Sequence, residues 1–289
     1  MDMYNTNHFY DGLQVLERED APLERMERLR AVEKPLLSWY ASRARSLPWR
    51  DEPLPYRVWI SEIMLQQTRV EAVKPYFERF MEAFPTVLAL AEAEDDHLMK
   101  MWEGLGYYNR ARNLKKAAQI LRDGYGGCLP ASFDELIKLP GIGSYTAGAI
   151  ASIAFNIPMP AVDGNVLRVI SRLLGDREDI RKASVKARME SELRRVMPED
   201  NASRYNQGLI EIGALVCIPG GEPKCGGCLW LPSVSQAGTD GGERFPISLP
   251  RKSAGLRSGP YLLLSIRIKW PSTRDRPGGF WLPCMSCLI

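Results

Sequence analysis

The chain has 289 residues, of which 45% are hydrophobic and 25% are charged, and its formal net charge is +3. This composition supports one large or two ordinary folded domains and excludes disordered, collagen-like and coiled-coil chains. The sequence has no run of 18 apolar residues, and its first residues lack the basic and apolar regions of a secretory signal. We therefore expect a cytoplasmic protein without a membrane span.

Helical patterns dominate the chain from its beginning. Residues 12–48 carry apolar side chains at helical spacing, and the stretch that follows to Gly175 has no sustained strand alternation. Ser132 opens a capping box and predicts a short helix that reaches Leu139. Asp163 is placed to cap a helix that ends at Gly175. The sequence thus predicts an all-α core.

A glycine-containing turn stands between two of these helices, in the segment Leu139-Pro-Gly-Ile-Gly-Ser-Tyr-Thr. Gly141 and Gly143 permit a tight turn, and backbone N–H groups at the start of the next helix can contact a phosphate. Small residues over 147–152 allow that helix to pack closely. An ordinary helix–turn–helix connection is the alternative interpretation of this spacing.

Two carboxylates are candidates for catalysis. Glu62 lies in an otherwise apolar helix and shares a face with Gln66. Burial there would raise its pKa and suit a general acid near neutral pH. Asp163 precedes a helix. An exposed helix residue and a simple N-cap are the respective alternatives, and spacing alone does not establish that the two carboxylates converge.

Three cysteines form the pattern Cys217-x7-Cys225-x2-Cys228. Clustered thiolates suit zinc or an iron–sulfur cluster. Without a secretory signal, the cysteines are better interpreted as metal ligands or buried thiols than as disulfides. After these cysteines the character changes. Residues 235–260 are rich in glycine, serine and proline, and residues 251–289 hold seven basic residues and one acidic residue, with one strand-like run at 261–268.

Six motifs occur in register: PWR, SEIMLQQT, GLGYYNRARNL, LPGIGSYTAGAI, VDGNVLRV and NQGLIEIGALVC. Together they resemble the adenine DNA glycosylases, a helix-hairpin-helix base-excision family related to endonuclease III, over about residues 30–230. The resemblance implies a six-helix barrel that carries the hairpin and packs against a helical domain with a [4Fe-4S] cluster. The implied segments are N-terminal helices 1–55, barrel 56–161, remainder of the cluster domain 162–232, and linker with a truncated or altered tail 233–289.

The resemblance also assigns roles to single residues. Glu62 corresponds to the acid that protonates N7 of a flipped adenine, Asp163 to the carboxylate that stabilises the oxocarbenium-like sugar, and Asn165 to a residue that holds Asp163. Gln66 and Tyr108 match side chains that wedge into the DNA stack. The residues that match the surroundings of the adenine pocket are Trp49, Arg50 and Glu211.

Tyr145 stands where strand-cleaving relatives have a lysine that forms a Schiff base. Because a phenol cannot form an imine, we predict a monofunctional glycosylase. Its implied partner is double-stranded DNA with adenine opposite 8-oxoguanine or guanine, bound by a monomer associated with the nucleoid. Two alternatives stay open: a thymine glycosylase for G:T mismatches, which also carries tyrosine there, and a DNA-binding remnant without useful catalysis.

The chain departs from the family's pattern at its end. The fourth cluster cysteine would fall on Val234, whose side chain cannot bind iron, so we expect weakened retention of the [4Fe-4S] cluster. Cys284 and Cys287 lie far along the tail, and a zinc module built on the three earlier cysteines is a further alternative. The C-terminal Nudix-like domain that reads 8-oxoguanine in the family is also expected to be missing.

Overall fold

The structure is a computed structural model of the chain. The residues that it describes are 22–219, 223–228 and 230. The chain divides into Met1–Leu249 and Pro250–Ile289, and every described residue belongs to the first part. The strand predicted at 261–268 and the cluster position at Val234 therefore lie outside the described residues.

The described residues are helical throughout, with turns and short loops between the helices and no strand among them, which confirms the predicted all-α class. The helices are α1 Pro22–Ala31, α2 Glu33–Arg43, α3 Pro48–Asp51, α4 Pro55–Leu65, α5 Val70–Ala83, α6 Val87–Ala91, α7 Asp95–Trp102, α8 Asn109–Tyr125, α9 Phe133–Leu136, α10 Ser144–Phe155, α11 Gly164–Leu174, α12 Ala183–Arg194, α13 Ala202–Leu215 and a 3-10 helix Cys225–Gly227.

Two hydrophobic cores organise these helices. The first is built by α3 to α10 around fully buried aromatic side chains, including Trp59, Phe77 and Trp102. The second is built by α1, α2 and α11 to α13 around Leu29 and Tyr205. Helix α10 packs on both α4 and α13, so it connects the first core to the second.

The local signals in the sequence act as predicted at three helix ends. The Ser132 hydroxyl accepts from the Glu135 N–H at 3.4 Å, the Asp163 carboxylate caps α11, and Gly175 ends that helix in the left-handed conformation. Helix α9 ends at Leu136 rather than at the expected Leu139. Beyond it the chain forms hydrogen bonds between residues three apart, which continue the chain as tight turns instead of a regular helix.

Close packing of α10 depends on its small residues. A Cβ atom added at Gly148 would lie 2.2 Å from the Pro160 carbonyl oxygen, in the segment that leads to Asp163. Only glycine therefore allows α10 to lie this close to that segment. Among the described helices, none is both long and apolar enough to cross a lipid bilayer.

Candidate active site

Glu62 is buried in α4, with 7% of its surface exposed. Desolvation raises the pKa of its carboxyl group to about 7, against a hydrogen bond from Tyr145 that lowers it. Among the described residues, its Oε2 atom has no hydrogen-bond partner. A buried carboxyl group with one unpartnered oxygen and a near-neutral pKa has the properties of a general acid.

Tyr145 in the first turn of α10 is the polar partner of Glu62. Burial, and then the nearby charges of Glu62 and Asp163, raise the pKa of its phenol well above the usual value. The phenol is therefore protonated at physiological pH and donates to the carboxyl group. The hairpin thus brings Tyr145 to the carboxylate that the sequence singled out in α4.

Asp163 is the second carboxylate, at the N-terminus of α11. Its Oδ1 accepts from the Val166 N–H and its Oδ2 from Asn165 Nδ2, both at 2.8 Å. Desolvation raises its pKa and outweighs these hydrogen bonds. The charge of Asp163 acts on Glu62 and raises its pKa. The role of Asp163 as a helix cap is thus compatible with an electrostatic role.

Arg168 holds the loop that carries Asp163 through hydrogen bonds to Asn165 and to the end of α13. Its Nη2 donates to Asn165 Oδ1 and to the Gly213 carbonyl, each at 2.8 Å, while its Nε donates to the Cys217 carbonyl at 2.8 Å. Gly213 is required here because a Cβ atom would lie 2.7 Å from the Cβ of Asn165. One buried guanidinium thus joins the Asp163 loop to the end of α13. No role for Arg168 was predicted from the sequence. A charged residue on the apolar face of α11 is the signal that could have identified it.

A cavity beside Glu62 and Tyr145 is lined by Trp49, Arg50 and Glu211, among other residues. Trp49 is also a core residue, with its ring edge against Phe77. Both oxygens of Glu211 are occupied, by Arg45 and by Arg50.

The pKa of Glu211 reflects this pairing. Desolvation would raise it, but the hydrogen bonds from Arg45 and Arg50 outweigh burial and lower it to about 2. Because Glu211 is ionised and fully paired, its role in this structure is to fix the two arginines in the cavity wall.

Gln207 also lines this cavity, and the sequence analysis missed it. It lies four residues before Glu211 on α13, so both side chains share one face of the helix. The amide Oε1 accepts from the Tyr40 hydroxyl at 2.9 Å, and Nε2 donates to Ser203 Oγ at 3.2 Å. Helical periodicity counted back from Glu211 is the signal that could have found it.

The hairpin turn is tight and depends on its glycines. Gly141 has a φ of +80°, and a Cβ atom there would lie 2.9 Å from the Cβ of Asn113. Gly143 is the N-cap of α10, and the position of its Cβ faces open space. The first N–H groups of α10, which no helix carbonyl can satisfy, follow directly after this position.

A second surface feature lies beside the hairpin. It is a depression of about 500 Å³ that includes both predicted wedge residues, Gln66 and Tyr108. Gln66 donates to Thr146 Oγ1 at 3.5 Å, and Tyr108 is 40% exposed. Their neighbours Gln67 and Tyr107 also line it, in the left-handed backbone conformation, and Tyr107 is 63% exposed.

Arg110 holds the two loops of this depression together. Its guanidinium donates to the carbonyls of Ile63, Met64 and Gln66 on one side. On the other side it donates to the carbonyls of Leu105 and Gly106. These five carbonyls come from two segments that are far apart in the sequence, and the guanidinium holds the two segments next to each other.

The three cysteines do not form a metal site in the part of the chain that the structure describes. Cys217 Sγ accepts from Arg172 at 3.2 Å, Cys225 is exposed, and Cys228 packs against the second core. No group of three or more His, Cys, Asp or Glu side chains among the described residues is arranged to hold a metal ion. The [4Fe-4S] cluster that the resemblance implied therefore stays a prediction.

Comparison with known proteins places the chain in a family. Residues 60–195 match the model of the HhH-GPD superfamily base excision DNA repair proteins. An adenine DNA glycosylase of Buchnera aphidicola subsp. Acyrthosiphon pisum is 36% identical over 248 residues, which cover 86% of this chain and 68% of the relative. The chain belongs to the adenine DNA glycosylase family. The human adenine DNA glycosylase is 40% identical over 202 residues, 67% of this chain and 37% of that protein.

Solved structures show the same fold. A thermostable thymine-DNA glycosylase superposes with a TM-score of 0.65 at 26% identity, over 75% of this chain and 99% of that one. Endonuclease III in a non-covalent DNA complex gives a TM-score of 0.62 at 28% identity, over 73% of this chain and 96% of that one.

This chain is shorter than some of its relatives. It spans 54% and 56% of the length of two further Buchnera adenine DNA glycosylases.

Proposed function

We propose that this protein is a monofunctional DNA glycosylase of base-excision repair. It hydrolyses the N-glycosidic bond of adenine that is mispaired with 8-oxoguanine or guanine. The observation that carries this proposal is Glu62, a buried carboxyl group with a pKa of about 7 and an unpartnered oxygen beside a cavity. Membership of the adenine DNA glycosylase family supports the choice of base.

In the proposed reaction Glu62 gives its proton to N7 of an adenine that has been flipped out of the duplex. The bond between the base and C1′ of the sugar then breaks, and its electron pair leaves with the base. Water adds to C1′ and gives up a proton, so that adenine and an abasic site are the products. Extrusion of the base costs a few kcal/mol, and a mismatch lowers that cost.

Asp163 supplies the second charge that this reaction needs. As a carboxylate near the reaction centre it stabilises the positive charge that develops on the sugar. Asn165 and the Val166 N–H hold its two oxygens, and Arg168 holds Asn165. The two carboxyl groups thus have different surroundings, as an acid and an electrostatic stabiliser require.

Tyr145 accounts for the monofunctional character. Its buried, protonated phenol offers no amine to attack the sugar, so no covalent imine forms and the DNA strand stays intact. Its hydrogen bond orients the Glu62 carboxyl group so that the other oxygen faces the base.

DNA is proposed to bind across the hairpin and the neighbouring depression. The N–H groups after Gly143 would hold a phosphate, while Gln66 and Tyr108 are proposed to fill the space that the flipped base vacates, together with the more exposed Tyr107. The two hydrophobic cores support the proposed division into a barrel over 56–161 and a second helical domain.

The test is single-turnover release of base from A:8-oxoguanine, A:G and T:G duplexes. We expect adenine release from the first two, with strand breakage only after alkali. Thymine release from T:G without adenine release would favour the alternative supported by the fold of the thymine-DNA glycosylase. Binding of the duplexes without release of any base, by wild type and Glu62→Gln alike, would indicate a DNA-binding remnant.

A further inference from the structure

The amide group of Gln207 is held at both ends by neighbouring side chains. On one side the Tyr40 hydroxyl, on α2, lies 2.9 Å from Oε1, and on the other side Ser203 Oγ, on α13, lies 3.2 Å from Nε2. The Ser203 hydroxyl also lies 3.1 Å from the Ile153 carbonyl oxygen at the end of α10. These four groups form a continuous chain of hydrogen bonds along the side of the cavity.

The direction of every bond in this chain follows from its last member. A backbone carbonyl can only accept, so Ser203 must donate its single hydroxyl hydrogen to Ile153. Its oxygen then offers only lone pairs to Gln207, and the amide must present its NH₂ group there. The amide oxygen consequently faces Tyr40, whose hydroxyl must donate.

Both ends of the chain are themselves held in place. The Ser203 N–H donates to Asn156 Oδ1 at 3.2 Å, which attaches the start of α13 to the end of α10. Burial raises the pKa of the Tyr40 phenol, so the phenol keeps the proton that it donates. The guanidinium of Arg50 lies over the Tyr40 ring, 5.7 Å from its centroid.

The amide of Gln207 still has one lone pair and one N–H hydrogen to offer. Gln207 is partly exposed and lines the cavity that holds Glu62. An acceptor and a donor side by side complement the 6-amino group and an adjacent ring nitrogen of adenine. A 6-oxopurine such as hypoxanthine presents the reverse pattern at its oxygen and N1–H, and would require the amide to turn over.

We infer that Tyr40 and Ser203 are positioning residues that fix the polarity of the Gln207 amide, so that the cavity selects a 6-amino purine over a 6-oxopurine. This inference rests on the proposed glycosylase function. The anchor of the polarity is Ser203, because only its bond to Ile153 has a direction that cannot reverse. The Tyr40 hydroxyl can either donate or accept, so it does not set the orientation of the amide but stabilises the orientation that Ser203 sets.

The experiment compares single-turnover release of adenine and of hypoxanthine from duplexes that are otherwise identical. In Ser203→Ala the anchor is lost and Tyr40 can bond either end of the amide, so we expect the preference for adenine to fall by about tenfold. In Tyr40→Phe the anchor remains, so we expect slower adenine release with less than about a threefold change in preference. Ser203→Thr keeps the hydroxyl and should keep the wild-type preference.

Matched controls are Ser42→Ala and Tyr125→Phe. Among the described residues, the Ser42 hydroxyl donates to carbonyls of its own helix, and the Tyr125 hydroxyl donates to Glu135 away from the cavity. A preference in Ser203→Ala within about twofold of wild type would overturn the inference. A change of more than about threefold in the preference of Tyr40→Phe would overturn it also, and this arm decides if Ser203→Ala does not fold. Failure of the wild type to release adenine would instead reject the proposed function.

Discussion

Tyr145 and Glu62 are hydrogen-bonded to each other inside the protein, where α10 packs on α4. The phenol donates, so it stabilises the ionised carboxylate and opposes the much larger effect of burial. The balance leaves the pKa of Glu62 at about 7. An acid poised there is protonated in a useful fraction of molecules at neutral pH and is still strong enough to give the proton away.

The pH dependence of base release follows from that pKa. Glu62 acts as an acid only while it is protonated, so we expect the single-turnover rate to be constant well below pH 7. Above pH 7 it should fall by about tenfold per pH unit. The measurement is adenine release at saturating protein across this range. Glu71→Gln, at an exposed glutamate, is the control and should retain the profile. A rate that rises through pH 7 would contradict the assignment of Glu62 as the acid.

Folding stability should also depend on the protonation of Glu62, in the pH window below that of base release. The unfolded chain loses this proton near pH 4.5 and the folded protein only near pH 7. Folding therefore binds a proton between these values, and the free energy of unfolding falls as the pH rises through them. The shift corresponds to about 3 kcal/mol.

Glu62→Gln removes this loss because the amide does not titrate. We expect the variant to match wild type in stability near pH 4 and to exceed it near pH 8, while adenine release is lost. Urea unfolding of both proteins at the two pH values measures the difference. An equal gap between the two proteins at pH 4 and pH 8 would contradict the raised pKa.

Arg168 is expected to affect the rate of base release although it does not line the cavity. Arg168→Met leaves the carbonyls of Gly213 and Cys217 without their donor and frees Asn165. We expect a loss of about 2–4 kcal/mol in unfolding free energy. Adenine release should fall by about 10- to 100-fold because Asp163 loses its orientation.

Measuring DNA affinity distinguishes the slower adenine release of Arg168→Met from an effect of lost surface charge. Since the Arg168 guanidinium is buried, its removal should leave the affinity for duplex DNA nearly unchanged. Arg122→Met is the matched control, because Arg122 is exposed and pairs with its neighbour Asp123. A variant that releases adenine at the wild-type rate would show that Asp163 does not depend on this support.

Local structure at the site was predictable because neighbouring residues decide it. Asp163 followed by a helix, and Gly141 with Gly143 between two helices, define a cap and a turn through contacts within a few residues. Both features are present as expected. The conformation of the loops that line the surface depression could not be predicted from the sequence. Gln67 and Tyr107 take the left-handed conformation beside loops that Arg110 holds, and the carbonyls it binds come from two separate segments.

Residue type and spacing alone were enough to identify the chemical groups of this protein: an acid in an apolar helix, a carboxylate at a helix start and a tyrosine after the hairpin turn. How these groups act depends on the packing of the helices. Glu62 has a near-neutral pKa because distant helices bury it, Glu211 has a low pKa because Arg45 and Arg50 reach it, and Gln207 has one polarity because Ile153 lies next to Ser203. Desolvation and hydrogen-bond direction depend on packing, and packing joins residues that the chain keeps far apart.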